Sequence, residues 1–147
     1  MNSRSHDPTR FGYTPEQWER AVDAGVRVLK EVAGTRDNVI SYTDLCERVF
    51  AASDVRVVPG EYALPYILGD ISRATLESDD CAISALVVYK NSTDAGAGLY
   101  DLAVVEGLLP KNPSDDQKDI FRFDHMNKAH DLWARQRHRP GERFSRP

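Results

Sequence analysis

Two cysteines, Cys46 and Cys81, are all that this chain of 147 residues carries. Their separation matches no metal-ligand spacing. They read as buried, reduced thiols, and a disulfide is not expected in a reducing compartment. No stretch approaches the roughly 18 consecutive apolar residues of a membrane span. Residues 1–13 lack the apolar core of a secretory signal, so a cytoplasmic protein with no membrane partner is expected. There is no Gly-x-Gly-x-x-Gly loop, no catalytic triad and no internal repeat, and no cofactor is implied. His125 and His130 lie five apart on a helix and so do not share a face. Asp124 and Asp131 stand beside them, but no further ligand is visible, and no metal site is expected. Asp101 and Glu106 are likewise unpaired with any recognisable base.

What is present belongs to a globular domain: 41% apolar residues, 9% aromatic and 29% charged. The net charge of −4 is unevenly spread. Residues 135–147 hold Arg135, Arg137, Arg139, Arg143 and Arg146 against Glu142, so this tail carries +4 and the other 134 residues −8. An acidic body differs from the basic folded face of an ordinary DNA-binding domain.

The pattern predicts one helix-rich α/β (α+β) domain over 14–134, between a flexible leader, 1–13, and a basic tail, 135–147. Thr14, Pro15 and Gln17 form a capping box that opens a helix over 15–33, with Trp18, Ala21, Val22, Gly25, Val26, Leu29 and Val32 inside and Gly34 as its stop. Val39 and Ile40 are extended. Ser41 caps a second helix over about 42–51, and Val55, Val57 and Val58 are candidates for a brief strand. A third helix over about 62–77 has the clearest stripe: Leu64, Ile67, Leu68, Ile71 and Thr75. The apolar run after Cys81 predicts a buried strand over 82–90, followed by a glycine turn at 91–98 and a helix over about 99–108. Ser114 and Gln117 open a long last helix whose inner stripe reads Ile120, Phe123, Met126, His130 and Trp133, ended by Pro140 and Gly141.

Val39-Ile40-Ser41-Tyr42-Thr43-Asp44-Leu45 resembles the "V-x-S-Y-G-E-L-A" segment that opens the helix-turn-helix of alkylguanine-DNA alkyltransferases and alkyltransferase-like proteins. Ser84-Ala85-Leu86-Val87-Val88-Tyr89-Lys90, followed by Asp94-Ala95-Gly96-Ala97-Gly98-Leu99-Tyr100, is similar in layout to that family's active-site strand and glycine turn. The resemblance spans Val39–Leu109, about half the chain. The family's Pro-Cys-His-Arg signature is missing: Ser84 falls at the nucleophile and Ala85 at the histidine, so alkyl transfer is not implied. Cys81 lies beside Asp79 and Asp80, which raise a thiol's pKa. The chain is also similar to small proteins of actinobacteria and their phages. The resemblance implies a winged-helix-like unit of the second and third helices, with a small sheet around strand 82–90 and a wing.

Two roles are then expected for each candidate residue. Ser41, Tyr42 and Thr43 either contact phosphate at a helix start or serve as ordinary capping. Arg73 either reads base edges or belongs to a solvated face with local ion pairs, among Asp70, Glu77, Asp79 and Asp80. Lys90 and Asn91 belong either to a nucleic-acid wing or ligand loop, or to a plain connecting turn. Arg135, Arg137 and Arg139 either bind nucleic acid or an acidic protein surface, or pack back on the acidic body. The leading expectation is a non-enzymatic nucleic-acid-binding or regulatory module with DNA as partner. The alternative is a protein-interaction module, an adaptor or inhibitor, that uses its acidic surface; a homodimer is compatible with either.

Overall fold

The computed structural model describes residues 10–89 and 97–145. Its elements run α1 Pro15–Ala33, β1 Ile40–Ser41, α2 Tyr42–Ser53, α3 Ala63–Asp79, a 3-10 turn Ile83–Leu86, β2 Val87–Val88, α4 Ala97–Val105 and α5 Asp115–Ser145. The fold is helix-rich α+β with a two-stranded parallel sheet, Ile40 opposite Val87 and Ser41 opposite Val88.

The capping box of α1 forms as its residues require. The Thr14 side chain accepts the Gln17 N–H at 3.1 Å, and Gln17 Oε1 accepts the Thr14 N–H at 2.8 Å. Ser114 and Gln117 repeat the arrangement at the start of α5. Helix α1 is the central post, packed against α2, α3 and α5. Its buried face is Trp18, Ala21, Ala24, Gly25, Val28, Leu29 and Val32. A smaller cluster of Ala82, Ala85, Leu99, Ala103 and Phe121 holds α4 and α5 on the 3-10 turn, and Met126 packs against both clusters.

Four expectations need correction. The run 82–90 is not a continuous strand. It is buried from Cys81 to Val88, but only Val87 and Val88 find a strand partner, because β1 is two residues long. The preceding N–H groups are satisfied by side chains: Ala82 by His125 Nδ1 at 2.9 Å, Ile83 by Thr75 Oγ1 at 3.3 Å and Ser84 by Ser72 Oγ at 3.0 Å. Buried N–H groups must be paired, and side-chain acceptors let the chain coil where a ladder would hold it straight.

Val55 and Val57 are buried as apolar residues should be, yet they form no strand, and Val58 is exposed. The inner face of α5 is also displaced. Phe121, His125, Ala129 and Trp133, spaced by four, are buried with Arg122 and His130, whereas Ile120 is 69% and Phe123 53% exposed. His130 and Trp133 are buried as the stripe requires and Met126 is half-buried; Arg122 and His125 inside the stripe hid the rest of it from a search for apolar periodicity. Finally, α5 runs through Pro140 and Gly141 to Ser145. A proline deletes one bond of the helical ladder, and here the backbone resumes beyond it. Helix α4 ends at Val105, and Gly107 takes the positive φ of 79° that turns the chain away.

Arg10–Tyr13 is folded against the body. Phe11 and Gly12 take φ of 52° and 89°, and Arg10 and Tyr13 exchange backbone bonds across this tight turn. Among the described residues, no helix is long and apolar enough to cross a membrane.

Candidate functional site

Four segments far apart in the chain enclose a cleft of about 630 Å³. Tyr42 and Thr43 at the start of α2 form one wall. Pro59, Gly60, Glu61 and Tyr62 form the lip. Leu64, Pro65, Leu68 and Gly69 of α3 line one side, and Gly98, Leu99 and Leu102 of α4 the other, with Ser84 and Tyr89 completing it. The Tyr42 and Tyr89 rings lie 5.2 Å apart and tilted by 45°. Most of this lining is carbon, from leucines, prolines and tyrosine rings.

The polar features are few and defined. Ser72 donates its hydroxyl to Ser84 Oγ at 2.6 Å while accepting the Ser84 N–H at 3.0 Å. Both the hydroxyl and the N–H of Ser84 are thus held by Ser72. Glu61 Oε1 is held by the Tyr13 hydroxyl at 2.5 Å and by the Val58 N–H at 3.2 Å. Burial, then the Glu61 carboxylate, pushes the Tyr13 hydroxyl well above the usual phenol range, so it remains a donor.

The sequence candidates divide clearly. Tyr42 and Thr43 line the cleft. Ser41 does not: its Oγ accepts the Asp44 N–H at 3.1 Å, an ordinary cap. Arg73 also stands aside. Its guanidinium donates to Glu106 at 3.1 Å and Asp70 at 3.3 Å, so two carboxylates already meet its charge. Lys90 and Asn91 lie outside the described residues, as do the side chains of Arg135, Arg137 and Arg139, whose backbone belongs to α5.

Sequence reasoning missed Ser72 and Tyr62. Ser72 sits one residue beyond Ile71 on the buried face of α3, where a small hydroxyl in an apolar stripe is the available signal. Tyr62 stands at the start of α3, two residues after Gly60 and outside the apolar stripe, so no local signal marks it as part of a cleft.

No metal-binding arrangement of three or more His, Cys, Asp or Glu occurs among the described residues. His125 accepts from Ala82, and His130 Nδ1 lies 3.0 Å from the Ala33 carbonyl, which ties α5 to the end of α1. Cys46 and Cys81 are free and buried. Burial pushes the Cys46 thiol up to about 11 and the Cys81 thiol up to about 12, with Asp79 and Asp80 adding to the latter.

No family model, curated protein or solved structure matches this chain.

Proposed function

We propose that this protein is a non-enzymatic, winged-helix-like nucleic-acid-binding module that accepts one unstacked base in the cleft between α2, α3 and α4. The observation that carries the reading is the lining itself. Tyrosine rings and aliphatic side chains surround a cleft that also holds the Ser84 hydroxyl, and two of the rings, Tyr42 and Tyr89, lie close together. Proteins that take a base out of its stack seat it between aromatic or apolar side chains and read its edge with a few hydrogen bonds. The start of α2, with Tyr42 and Thr43 on the wall, places the positive end of a helix dipole beside the mouth, where the adjoining phosphate would lie. The resemblance of Val39–Leu109 to DNA-binding alkyltransferase-like proteins points the same way.

Among the described residues Ser84 contacts a second hydroxyl and no base, which supports binding over group transfer. The acidic body supports base contact over phosphate contact as the source of affinity. Few counterions would be released, and the salt dependence would be shallow.

The test compares a labelled duplex carrying one unpaired base with its fully paired counterpart, using the wild type and Gly98→Leu. A Cβ at Gly98 stands 3.5 Å from the Pro65 Cβ, so leucine there occupies the cleft, and leucine favours the helix by about 0.5–1 kcal/mol over glycine. The reading predicts that the wild type prefers the unpaired base at least tenfold and that Gly98→Leu loses the preference. Equal binding of both duplexes contradicts it.

A second reading, a protein-interaction module or homodimer, is favoured by Ile120 and Phe123, which lie exposed on α5 among Asp116, Asp119 and Asp124. Sedimentation that finds only monomer, with no partner retained, removes it.

A further inference from the structure

We infer that the base this cleft takes is a positively charged one, alkylated on a nitrogen of its pairing edge, and that Glu61 selects it; this rests on the cleft being a base site. Glu61 is the one charged residue among the described residues that line the cleft. It is half-buried. Among the described residues no Lys, Arg or His pairs with it. A carboxylate drawn partly out of water with no cation beside it is costly, and a cationic ligand offsets that cost.

Glu61 is held in place through one oxygen. The Tyr13 hydroxyl and the Val58 N–H both donate to its Oε1, at 2.5 and 3.2 Å. Two donors use both lone pairs of that oxygen, and among the described residues Oε2 accepts from neither group. Oε2 is therefore the atom that can accept from a ligand. A donor that carries positive charge binds a carboxylate more strongly than a neutral donor does.

The rings add the same preference. Tyr42, Tyr62 and Tyr89 line the cleft. The face of an aromatic ring carries negative potential and attracts a cation within about 6 Å. The acidic body, −8 over the 134 residues before the tail, raises the local concentration of cations further. The dipole of α2 opposes this at the wall it forms, where it suits the adjoining phosphate. Planarity and charge together narrow the ligand. Ordinary bases are planar but neutral. A base alkylated on a pairing-edge nitrogen, such as 3-methylcytosine, is planar and cationic, and it keeps an amino group that can donate to Oε2. It also cannot pair, so drawing it out of the stack costs little.

The experiment is an anisotropy titration of the full chain with labelled duplexes that carry an unpaired 3-methylcytosine, an unpaired 5-methylcytosine or no unpaired base. The two methylated bases have the same added group and differ in charge. The wild type is compared with Glu61→Gln and Gly98→Leu. Glutamine keeps the oxygen that Tyr13 and Val58 need, and binding of the 5-methylcytosine duplex reports whether the cleft is intact. The wild type should bind the 3-methylcytosine duplex about tenfold tighter than the 5-methylcytosine duplex. Glu61→Gln should shrink that gap to about threefold, the share of the rings, while leaving 5-methylcytosine affinity unchanged. Gly98→Leu should lose both. If the two methylated duplexes bind equally and both beat the paired one, the charge selection is wrong and the base reading stands. If neither beats the paired one, the base reading fails and takes this inference with it. A gap that survives Glu61→Gln in full removes Glu61 as the selector. If a trimethyl-lysine peptide binds in a Glu61-dependent way where neither unpaired duplex does, the cation belongs to a protein and the cationic base is overturned.

Discussion

His125 Nδ1 accepts the Ala82 N–H at 2.9 Å, and this bond fastens α5 to the turn that carries Ser84. It requires neutral imidazole with Nδ1 unprotonated. Burial lowers the His125 pKa from its ordinary 6.5, and Lys128 lowers it further, while Asp124 and Asp80 pull the other way. The unfolded chain therefore takes up this proton at a higher pH than the folded one. The contribution is fully present above about pH 6.5 and is lost as pH falls from there toward the folded-state value, at up to about 1.4 kcal/mol per pH unit. His125→Asn keeps an acceptor near the Nδ1 position and cannot titrate. Denaturant midpoints at about pH 7.5 and 5.5 should fall further for the wild type than for His125→Asn; parallel falls would remove His125 as the acid-sensitive group.

Ser72 and Ser84 should not be equivalent. Ser72→Ala strips the buried Ser84 N–H of its acceptor and should cost about 1–3 kcal/mol in chemical denaturation. Ser84→Ala leaves that N–H bonded to Ser72 Oγ and should cost less, about 0.5–1.5 kcal/mol. A reversed order would mean that the N–H finds another acceptor.

Gly25 on α1 faces Ile71 on α3. A Cβ at Gly25 would overlap the Ile71 Cδ1 and lie 3.2 Å from its Cγ1. Ile71 is 1% exposed and has nowhere to retreat. Gly25→Ala should therefore destabilise by about 1–3 kcal/mol through overpacking, despite alanine's helix preference. Ile71→Val removes Cδ1, so the double variant should recover part of the loss, with a coupling above about 0.5 kcal/mol in a double-mutant cycle. Strict additivity would show that the helices move apart freely.

The thiols offer a direct check on the core. With Cys46 pushed up to about 11 and Cys81 to about 12, neither is a thiolate near neutral pH. A disulfide-exchange reagent should leave both untouched in the native protein and titrate both in denaturant. Rapid stoichiometric labelling of the native chain would contradict their burial.

The helices were legible where local chemistry determines them. Thr14, Pro15 and Gln17 mark the start of α1, and Ser114 and Gln117 mark α5, because a capping box acts over four residues. The segment from Ala82 to Ser84 was not legible as a turn, since its N–H partners, His125, Thr75 and Ser72, lie 8 to 43 residues away. Of the inward face of α5, His130 and Trp133 were legible, and the rest was misread because Arg122 and His125 occupy positions that apolar periodicity assigns to carbon. Of the cleft, Tyr42 and Thr43 were anticipated as residues at a helix start. The cleft itself depends on α3 and α4 lying side by side, a long-range relationship that no single segment encodes. Arg73 seemed available on a helix face; its pairing with Glu106 is again distant, 33 residues along the chain.

The most direct test of the account follows one base into the cleft. A duplex with the fluorescent base aminopurine at an unpaired position is titrated with the full chain and with Gly98→Leu. Seating among Tyr42, Tyr89 and the α3 leucines should change the aminopurine emission saturably, with a salt slope well below that of a protein neutralising about 6–10 phosphates, and Gly98→Leu should abolish the change. Binding without any change in emission, or an equal change with Gly98→Leu, would place the nucleic acid elsewhere and contradict the central claim.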